Sequence, residues 1–460
     1  MTSLDPARRR EHILRTAVSQ GLLARDADPL AAFVDMDALE HNVTVLHRTF
    51  ERAVPAEGGV LHAFAAKANC LVPVLKFLRT LGMGCEVASE GELAQAVAAG
   101  FEPESIVFDS PAKTMPELRQ ALALGVALNA DNFQELERIR TLREQLRSTS
   151  RIGVRINPQV GLGGIEAMST AGRTSKFGIA LDDPGNRERL LAWFSDHPWL
   201  TMVHAHVGSQ GCRLPLIADG LRAAVDFAEE VNRLVGRRQI STVDIGGGLP
   251  VDFETDAAVE SPFAEYVGVL RDRVPELFDG RYSLITEFGR TIAAKYGFIA
   301  AFVEYTKTAG GSRIAITHAG AQTATRTVFM PEAWPIRVTA HTPDGGFKRG
   351  DRAPQTIAGP CCFAGDLTAT NRELPILEPG DIVSLLDTGA YYFSTPFSYN
   401  SLLEPGVYGA RIDDGGSVRF VVLREPQTMS QLLQRTGASL LNGDAGVVSP
   451  RPEEIQRTRR

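Results

Sequence analysis

The stretch LHAFAAKANC, residues 61–70, decides the fold, because a short apolar run ends there on polar residues and a helix-length amphipathic stretch follows. The same order of apolar run, turn and amphipathic stretch repeats along the chain as far as residue 289. We predict strands at residues 61–69, 84–89, 105–110, 126–131, 151–157, 201–209, 242–248 and 283–289. Segments between them, such as GELAQAVAAG and DNFQELERIRTLREQL, are typical of helices.

Strands that alternate with helices form parallel sheets, and eight of them predict a (β/α)8 TIM barrel within the α/β class. Catalytic groups of such barrels lie at the C-terminal ends of the strands. Polar residues of this chain fall at those ends, namely Lys67, Glu86, Asp109, Asn129, Asn157, His206, Gly246–Gly248 and Glu287. A doubly wound open sheet is the alternative, because the number of strands alone does not exclude it.

The pattern changes after about residue 295 to strand-like pieces with turns and few helices, which predicts a second, all-β domain. We expect the strand AAFVDMDAL, residues 31–39, to pair with that domain, and the first thirty residues to be helical and weakly anchored. The predicted division is residues 1–40 for this N-terminal helix and strand, 41–295 for the barrel, and 296–460 for a C-terminal β-sandwich or β-barrel domain.

The composition indicates an ordinary globular protein. The chain has 460 residues and a net charge of −7, which argues against a nucleic-acid partner. We expect a cytoplasmic protein without membrane contact, because no apolar run reaches the roughly 20 residues of a membrane span and the start lacks a signal-peptide core. Five cysteines without a CxxC pair predict neither a disulfide framework nor a zinc site, so no metal is expected.

Lys67 stands at an apolar, small-residue strand end, where a buried ammonium is costly. Desolvation would lower the pKa of Lys67 and make its amine nucleophilic, as Schiff-base formation with a carbonyl cofactor requires. When Lys67 is considered alone, a structural ion pair with a barrel carboxylate is favoured over this chemistry.

Two later strand ends carry groups suited to a flat, phosphorylated cofactor. Gly246, Gly247 and Gly248 would let backbone N–H groups converge on a phosphate, although three glycines also mark tight turns. Glu287 could keep a pyridine nitrogen protonated, and Arg290 could bind a carboxylate or phosphate in forked geometry. A buried salt bridge between Glu287 and Arg290 is the alternative.

The sixth strand end, HAHVGSQ, offers an imidazole to stack on a ring through His206 and a hydroxyl to reach a phosphate through Ser209. His204 alternates onto the same face, so one of the two histidines could be an ordinary core residue. In the β domain, GPCCFAGD (359–366) supplies Cys362 as a proton donor or as a small hydrophobe. The stretch GAYYFSTPFSYN (389–400) supplies Tyr391, to lie against a phosphate or simply to pack.

In chain order, AAKAN, HVGSQ, DIGGGLP, EFGR, GPCCFAGD and GAYYFS resemble the signature motifs of the fold type III pyridoxal-5'-phosphate (PLP) decarboxylases, such as the diaminopimelate and ornithine decarboxylases. The similarity runs from about residue 31 to residue 410. It implies an alanine racemase-like barrel, PLP as cofactor, and decarboxylation of an amino acid through an aldimine and a quinonoid intermediate.

The resemblance also implies roles for single residues. Lys67 would carry the internal aldimine and His206 would stack on the cofactor ring. Ser209 and the glycines Gly246–Gly248 would lie near the phosphate, and Glu287 would pair with the pyridine nitrogen.

Arg290 would contact substrate or cofactor, and Tyr391 would contact the cofactor. Both are also candidates for binding the substrate. Members that resemble this chain are homodimers whose cysteine loop enters the neighbouring active site, which implies that Cys362 acts in trans as the proton donor to Cα.

Departures from the motifs concern the far end of the substrate. Phe363 follows Cys362 where related enzymes have an acid, so we expect a substrate other than meso-diaminopimelate. By spacing, Arg326 could be the arginine that reads a distal carboxylate, but the expected Arg-Pro pair reads Met330-Pro331, and the assignment stays open. Glu86 replaces the usual aspartate, a change interpreted as structural.

Two other functions fit the same fold. One is a PLP-dependent racemase or epimerase, although a cysteine in this loop favours decarboxylation over the tyrosine chemistry typical of racemases. The other is a non-catalytic binding protein that has lost its cofactor chemistry, which the altered CCFAGD loop suggests and the retained Lys67, His206 and Glu287 oppose.

Overall fold

The N-terminal part of the chain forms one strand between two helices in a computed structural model that describes residues 5–256 and 262–438. The elements are α1 (Pro6–Ser19), β1 (Leu30–Asp35) and α2 (Met36–Glu51). The predicted strand at 31–39 is too long at its end, because the Asp35 side chain accepts a hydrogen bond from the Ala38 N–H and so begins α2.

Helix α1 is firmly attached, and the prediction of weak anchoring is wrong. Ile13 and Leu14 are fully buried against the sheet that contains β1. Arg9 forms a two-point ion pair with Asp35, with N–O distances of 2.7 Å. The amphipathic pattern of this helix thus packs one face on the β domain and places a cation at the end of β1.

Eight parallel strands close into a barrel, as predicted. They are β2 (Val60–Ala65), β3 (Gly84–Val87), β4 (Ile106–Asp109), β5 (Ala127–Ala130), β6 (Ile152–Asn157), β8 (Leu200–His204), β9 (Thr242–Asp244) and β10 (Ser283–Thr286), with the two-residue β7 (Ile179–Ala180) beside β6. Strand β10 pairs with β2, and β5 pairs with β6, so the ring has no open edge. The open doubly wound sheet is therefore excluded.

Helices surround the barrel. They are α3 (Val72–Thr80), α4 (Glu90–Ala98), α5 (Met115–Leu124), α6 (Phe133–Leu146), α7 (Asn186–Asp196), α8 (Leu214–Val235), α9 (Pro262–Arg273) and the single turn α10 (Arg290–Ala293). Side chains of Ser89, Thr114 and Asn132 accept hydrogen bonds from backbone N–H groups at the starts of α4, α5 and α6. These caps fix where each helix leaves the catalytic end of the barrel.

A nine-stranded sheet forms the second domain. Besides β1 it contains β11 (Gly297–Ala309), β12 (Ser312–Thr317), β13 (Val338–His341), β14 (Arg352–Ala358), β15 (Leu367–Pro375), β16 (Ile382–Leu385), β17 (Gly406–Ile412) and β18 (Val418–Arg424), with helices α11 (Ala321–Phe329) and α12 (Met429–Arg435). Strand β1 lies between β11 and β17. The boundaries at residues 40 and 295 stay predictions, and residues 1–4 and 439–460 of the predicted division lie outside the described residues.

Ion pairs join the N-terminal helix, the barrel and the β domain. Asp256 in a barrel loop binds Arg10 at 2.5 Å and Arg337 at 2.8 Å. Arg337 also binds Asp387, which in turn contacts Lys295 at 3.2 Å. This network fixes the β domain over the C-terminal ends of the barrel strands. Across the described residues, no helix combines the length and the apolar character needed to cross a membrane.

Candidate active site

Lys67 lies in a 3₁₀ turn, Ala66–Ala68, directly after β2. Its Nζ donates a hydrogen bond to Glu86 Oε2 at 2.8 Å, and its side chain keeps 40% of its surface exposed. Burial disfavours the ammonium form, but the carboxylates of Glu86 and Glu287 outweigh this and raise the pKa of Lys67. The predicted lowering of this pKa is therefore wrong for the protein alone, because the neighbouring carboxylates were not visible in the sequence.

Glu287 follows β10 and is buried at the centre of the site. Its Oε2 lies 3.5 Å from His204 Nε2 and 3.8 Å from His206 Nδ1, whereas Oε1 has no hydrogen-bond partner within the described residues. Burial disfavours the carboxylate, but His204 and Lys67 outweigh it and hold the pKa of Glu287 well below its usual range. Glu287 is thus a charged carboxylate with one oxygen free to accept a hydrogen bond.

His206 is held by the glycine turn. Its Nδ1 accepts a hydrogen bond from the Gly247 N–H at 3.1 Å, and burial lowers the pKa of His206. A neutral imidazole with an accepting Nδ1 carries its proton on Nε2. The ring is therefore uncharged and fixed in orientation, as a stacking group must be.

The glycines Gly246, Gly247 and Gly248 fill a space that no side chain could share. A Cβ on Gly247 would collide with the Glu287 carbonyl oxygen, and a Cβ on Gly248 would collide with the Gly208 carbonyl oxygen. Gly246 and Gly248 also have φ values of 62° and 92°, which favour glycine. The turn after β9 thus approaches two other strand ends so closely that only glycine fits there.

The buried Arg290 and the half-buried Arg326 lie side by side on aromatic rings. The guanidinium carbon of Arg290 lies 4.6 Å from the ring centre of Trp334 and 4.6 Å from that of Tyr391. For Arg326 the two distances are 4.2 and 4.8 Å. Arg290 donates to Ser209 Oγ at 3.3 Å, but its Nε and Nη1 lack partners within the described residues. Burial and the charge of Arg290 lower the pKa of Arg326 to about 10. This pair is built to receive an anion.

Tyr391 is held against the lysine turn by its backbone. Its N–H donates to the Ala68 carbonyl at 2.6 Å, and Ser394 Oγ donates to the Lys67 carbonyl at 2.7 Å. The φ of Tyr391 is 64°, an unfavourable value for a tyrosine that the surrounding contacts must maintain. The GAYY segment of the β domain thereby completes the site around Lys67.

Cys362 and Phe363 are in a different environment. Cys362 is exposed, and its N–H donates to Asn400 Oδ1 at 2.8 Å. Phe363 stacks on Phe329 with ring centres 5.6 Å apart and meets Tyr399 edge-on. These described contacts all lie within the β domain, so they do not join Cys362 to Lys67 in one chain.

A polar network fills the barrel below the site, and sequence reasoning missed most of it. Arg155 Nη1 binds Asp109 Oδ2 at 2.8 Å, and Asn129 Nδ2 donates to Asp244 Oδ2 at 3.1 Å. Trp334, whose ring contacts the guanidinium groups of both arginines, was also missed, since it lies in an irregular segment. Alternation along the strands could have identified Arg155 and Asp244, whereas nothing in the sequence places Trp334.

His204, His206 and Glu287 bring their potential ligand atoms within 4.8 Å of one another. The prediction that no metal is expected was made from the cysteines and overlooked this cluster. His206 Nδ1 is already occupied by the Gly247 N–H, and surrounding carboxylates, against the effect of burial, raise the pKa of His204 to about 9. A metal ion needs free lone pairs on neutral imidazoles, and this arrangement does not offer them.

A flat cofactor with a basic ring nitrogen and a phosphate fits these groups. Glu287 Oε1 is free to bind the nitrogen, and His206 offers a neutral ring face. The Gly246 and Gly247 N–H groups already donate to Asp244 Oδ1 and His206 Nδ1, so Gly248 and Arg290 are left to offer N–H groups to the phosphate. Lys67 offers a primary amine. Fold and site together define a PLP enzyme built on a (β/α)8 barrel with an attached β domain.

Comparison with known proteins gives the family. Residues 40–294 match the family model described as "Pyridoxal-dependent decarboxylase, pyridoxal binding domain". The chain is 33% identical over 347 residues to diaminopimelate decarboxylase of Pseudomonas aeruginosa, covering 74% of this chain and 79% of that protein. The chain belongs to the pyridoxal-dependent decarboxylase family. It uses PLP and is an amino-acid carboxy-lyase, so the racemase and the non-catalytic alternatives are not supported.

Solved structures agree with this assignment. Diaminopimelate decarboxylase from Helicobacter pylori, complexed with L-lysine, superimposes with a TM-score of 0.77 at 26% identity, covering 89% of this chain and 97% of that one. A lysine/ornithine decarboxylase from Vibrio vulnificus, complexed with putrescine, has a TM-score of 0.69 at 21% identity and shares the fold. The predicted barrel with a second β domain is thereby confirmed.

Proposed function

We propose that this protein decarboxylates an amino acid other than meso-diaminopimelate, as a homodimer in which Cys362 of one chain acts at the Lys67 site of the other. The observation that carries the choice of substrate is Phe363, which stacks on Phe329 where a distal ammonium would need a carboxylate. The names of the relatives favour diaminopimelate, so the substrate is the point that an experiment must decide.

Lys67 would bind the cofactor covalently, and Glu287 would accept a hydrogen bond from its ring nitrogen. His206 would cover one ring face, and the glycine turn would bind the phosphate together with Ser209 and Arg290. When bound, PLP supplies an electron sink for the bond broken at Cα. The support for these roles is the free oxygen of Glu287, the neutral ring of His206 and the unpaired N–H groups of Arg290.

The second group of residues would orient the substrate. Arg326, with Arg290 beside it, presents a guanidinium to an anion in a pocket closed by Trp334 and Tyr391. A carboxylate of the substrate would neutralise the buried positive charge, since no acidic residue among those described pairs with either arginine. The aromatic walls would exclude water from this carboxylate and hold it in one orientation.

Cys362 would hold the proton that is returned to Cα. Its exposure, with a backbone hydrogen bond to Asn400 of the same domain, fits a residue that faces a second copy of the chain. The exposed faces of Phe329 and Tyr399 lie beside it, at 53% and 37% exposure, and would be covered by such a partner. Phe363 would then form part of the wall for the distal end of the substrate side chain.

An aromatic wall at that place favours a substrate whose distal end is apolar or uncharged. Phe363, Phe329, Phe397 and Tyr399 contact one another through ring pairs 5.3 to 5.7 Å apart. A desolvated ammonium against these rings would lack hydrogen-bond acceptors, which costs on the order of several kcal/mol.

The test is carbon dioxide release from a panel of amino acids that includes meso-diaminopimelate, lysine, ornithine and amino acids with apolar or aromatic side chains. We expect the wild type to give its highest kcat/KM with a member of the apolar or aromatic group. The variant Phe363→Glu should shift preference toward substrates with a distal ammonium, and Phe363→Leu serves as the apolar control. Highest kcat/KM of the wild type with meso-diaminopimelate would overturn the proposed substrate class.

A further inference from the structure

His204 ends strand β8 with its side chain fully buried in the barrel. Its Nδ1 lies 3.6 Å from Asp109 Oδ2 on β4, and its Nε2 lies 3.5 Å from Glu287 Oε2 after β10. The imidazole thus stands between two carboxylates that come from opposite parts of the barrel. From its position in the sequence, His204 could equally be an ordinary core residue.

The two neighbours determine the charge of the ring. Asp109 and Glu287 both have pKa values below the usual range, because nearby cations outweigh the effect of burial. For Asp109 these cations are Arg155 and His204, and for Glu287 the main one is His204. Ionised carboxylates only accept hydrogen bonds, and a neutral imidazole has only one N–H to donate. Only the imidazolium form can face both carboxylates favourably.

The surrounding elements supply further charges. Charged or titratable groups of this network are Glu86 on β3, Asp109 on β4, Arg155 on β6, His206 after β8, Asp244 on β9, Glu287 after β10 and Lys67 after β2. Burial opposes the charged form of His204, but Glu287, Asp244 and Asp109 outweigh it and raise its pKa to about 9. Burial raises the pKa of Asp244 well above its usual range.

We propose that His204 is a positioning residue, which bridges Asp109 and Glu287 and thereby fixes both the charge and the orientation of the Glu287 carboxylate toward the cofactor ring nitrogen. The proposal rests on the role proposed above for Glu287. His204 itself would touch neither cofactor nor substrate, because its side chain is fully buried and both its ring nitrogens face carboxylates.

Removal of His204 would change the charge of Glu287. Glu287 would remain buried near Asp109 and Asp244 with less positive charge around it, and its pKa would rise. A protonated Glu287 is a donor on one oxygen and no longer stabilises a protonated ring nitrogen. The cofactor would therefore bind more weakly and work less well, even with every contacting residue in place.

The charge of His204 can be measured without cofactor or substrate. In the apoprotein with isotope-labelled histidine, NMR titration should show one of the nine imidazoles still protonated above about pH 8, compared with an ordinary pKa of about 6.5. This resonance should disappear in His204→Asn, or in His204→Gln if the first variant does not fold. A spectrum in which every imidazole loses its proton below about pH 7 would overturn the proposal.

Whether His204 acts through Glu287 is tested by measuring the affinity for PLP, which is obtained from the absorbance of the bound cofactor. His204→Asn should weaken binding about tenfold or more in the wild-type background, but less than about twofold in Glu287→Gln. Equal losses in both backgrounds would show that His204 does not act through Glu287. The matched control is His62→Asn, a buried histidine on β2 that contacts Thr286 at 2.9 Å and lies outside the network.

Both readouts are independent of the substrate. If the substrate proposed above is wrong, the NMR titration and the PLP affinities keep their meaning. If PLP affinity of wild type and variants is the same while His204 is shown to be charged, the bridge is structural and the positioning role is overturned. Failure of either proposal is thus recognised separately.

Discussion

Lys67 Nζ lies 2.8 Å from Glu86 Oε2, so the amine that is proposed to bind the cofactor is paired with a buried carboxylate in the protein alone. Glu86 is fully buried, and its second oxygen has no hydrogen-bond partner within the described residues. The residue interpreted from sequence as structural therefore acts on the lysine directly. An aspartate at this position would be one methylene shorter and would not reach Nζ in the same geometry.

Glu86→Gln should make Lys67 react with PLP at lower pH. The Glu86 carboxylate contributes to the raised pKa of Lys67, so its removal lowers that pKa and increases the fraction of free amine at a given pH. The measurement is the rate of PLP uptake by the apoprotein between about pH 6 and pH 10. The exposed Glu90→Gln on α4 is the control, and a profile of Glu86→Gln that matches the wild type would exclude this role for Glu86.

Lys67→Arg should abolish the covalent link to PLP while it keeps a cation beside Glu86. A guanidinium stays protonated and does not form a Schiff base, so we expect no reducible adduct and a loss of turnover by several orders of magnitude. Borohydride reduction followed by peptide mapping measures the adduct. The surface variant Lys76→Arg should retain it, whereas an adduct elsewhere in Lys67→Arg would reassign the cofactor lysine.

Regular features of this molecule follow from local patterns and could be predicted. Each barrel strand is a short apolar run that ends on polar residues, and the order of strands along the chain leaves few ways to close a parallel ring. Lys67, His206 and Glu287 stand at such ends, so the sequence already places them near one another. The resemblance to known motifs added the identity of the cofactor.

Properties that depend on distant partners could not be predicted. The raised pKa of Lys67 depends on Glu86 from the next strand, and the anion pocket depends on Trp334, which stacks under Arg290 and Arg326 from an irregular segment. The end of β1 at Asp35 was missed because a helix cap overrides the apolar pattern that continues to Leu39. These are tertiary contacts, and periodicity carries no information about them.

Mixed dimers of Lys67→Ala and Cys362→Ala chains should regain activity that neither parent has. If Cys362 acts in trans, random mixing gives hybrids in half of the dimers, each with one complete site, so about a quarter of the wild-type sites are restored. Turnover after mixing, dilution and reassociation measures this fraction. Recovery close to zero, with hybrids demonstrated by mass, would place Cys362 in cis, and an active Cys362→Ala parent would place it outside the reaction.

Asp256→Asn should loosen the attachment of the β domain to the barrel. Asp256 bridges Arg10 and Arg337. Burial alone would raise the pKa of Asp256, but these arginines lower it to about 2. Because the pKa is depressed on folding, the stabilisation is complete above the unfolded value of about 3.8 and declines as the pH falls toward 2. At pH 7 we expect a loss of about 1–3 kcal/mol in the free energy of unfolding, measured by urea denaturation.

The control for this network is Asp226→Asn, which removes an exposed carboxylate that pairs with Arg222 within α8. Its effect should stay within about 0.5 kcal/mol, since exposed pairs along a helix contribute little. If Asp256 holds the domains together, its replacement should also raise the Kd for PLP and the KM for the substrate. The reason is that Trp334 and Arg326 lie on the segment that Arg337 anchors. Equal effects of the two variants would show that the bridge from α1 to the β domain is not needed to hold the site.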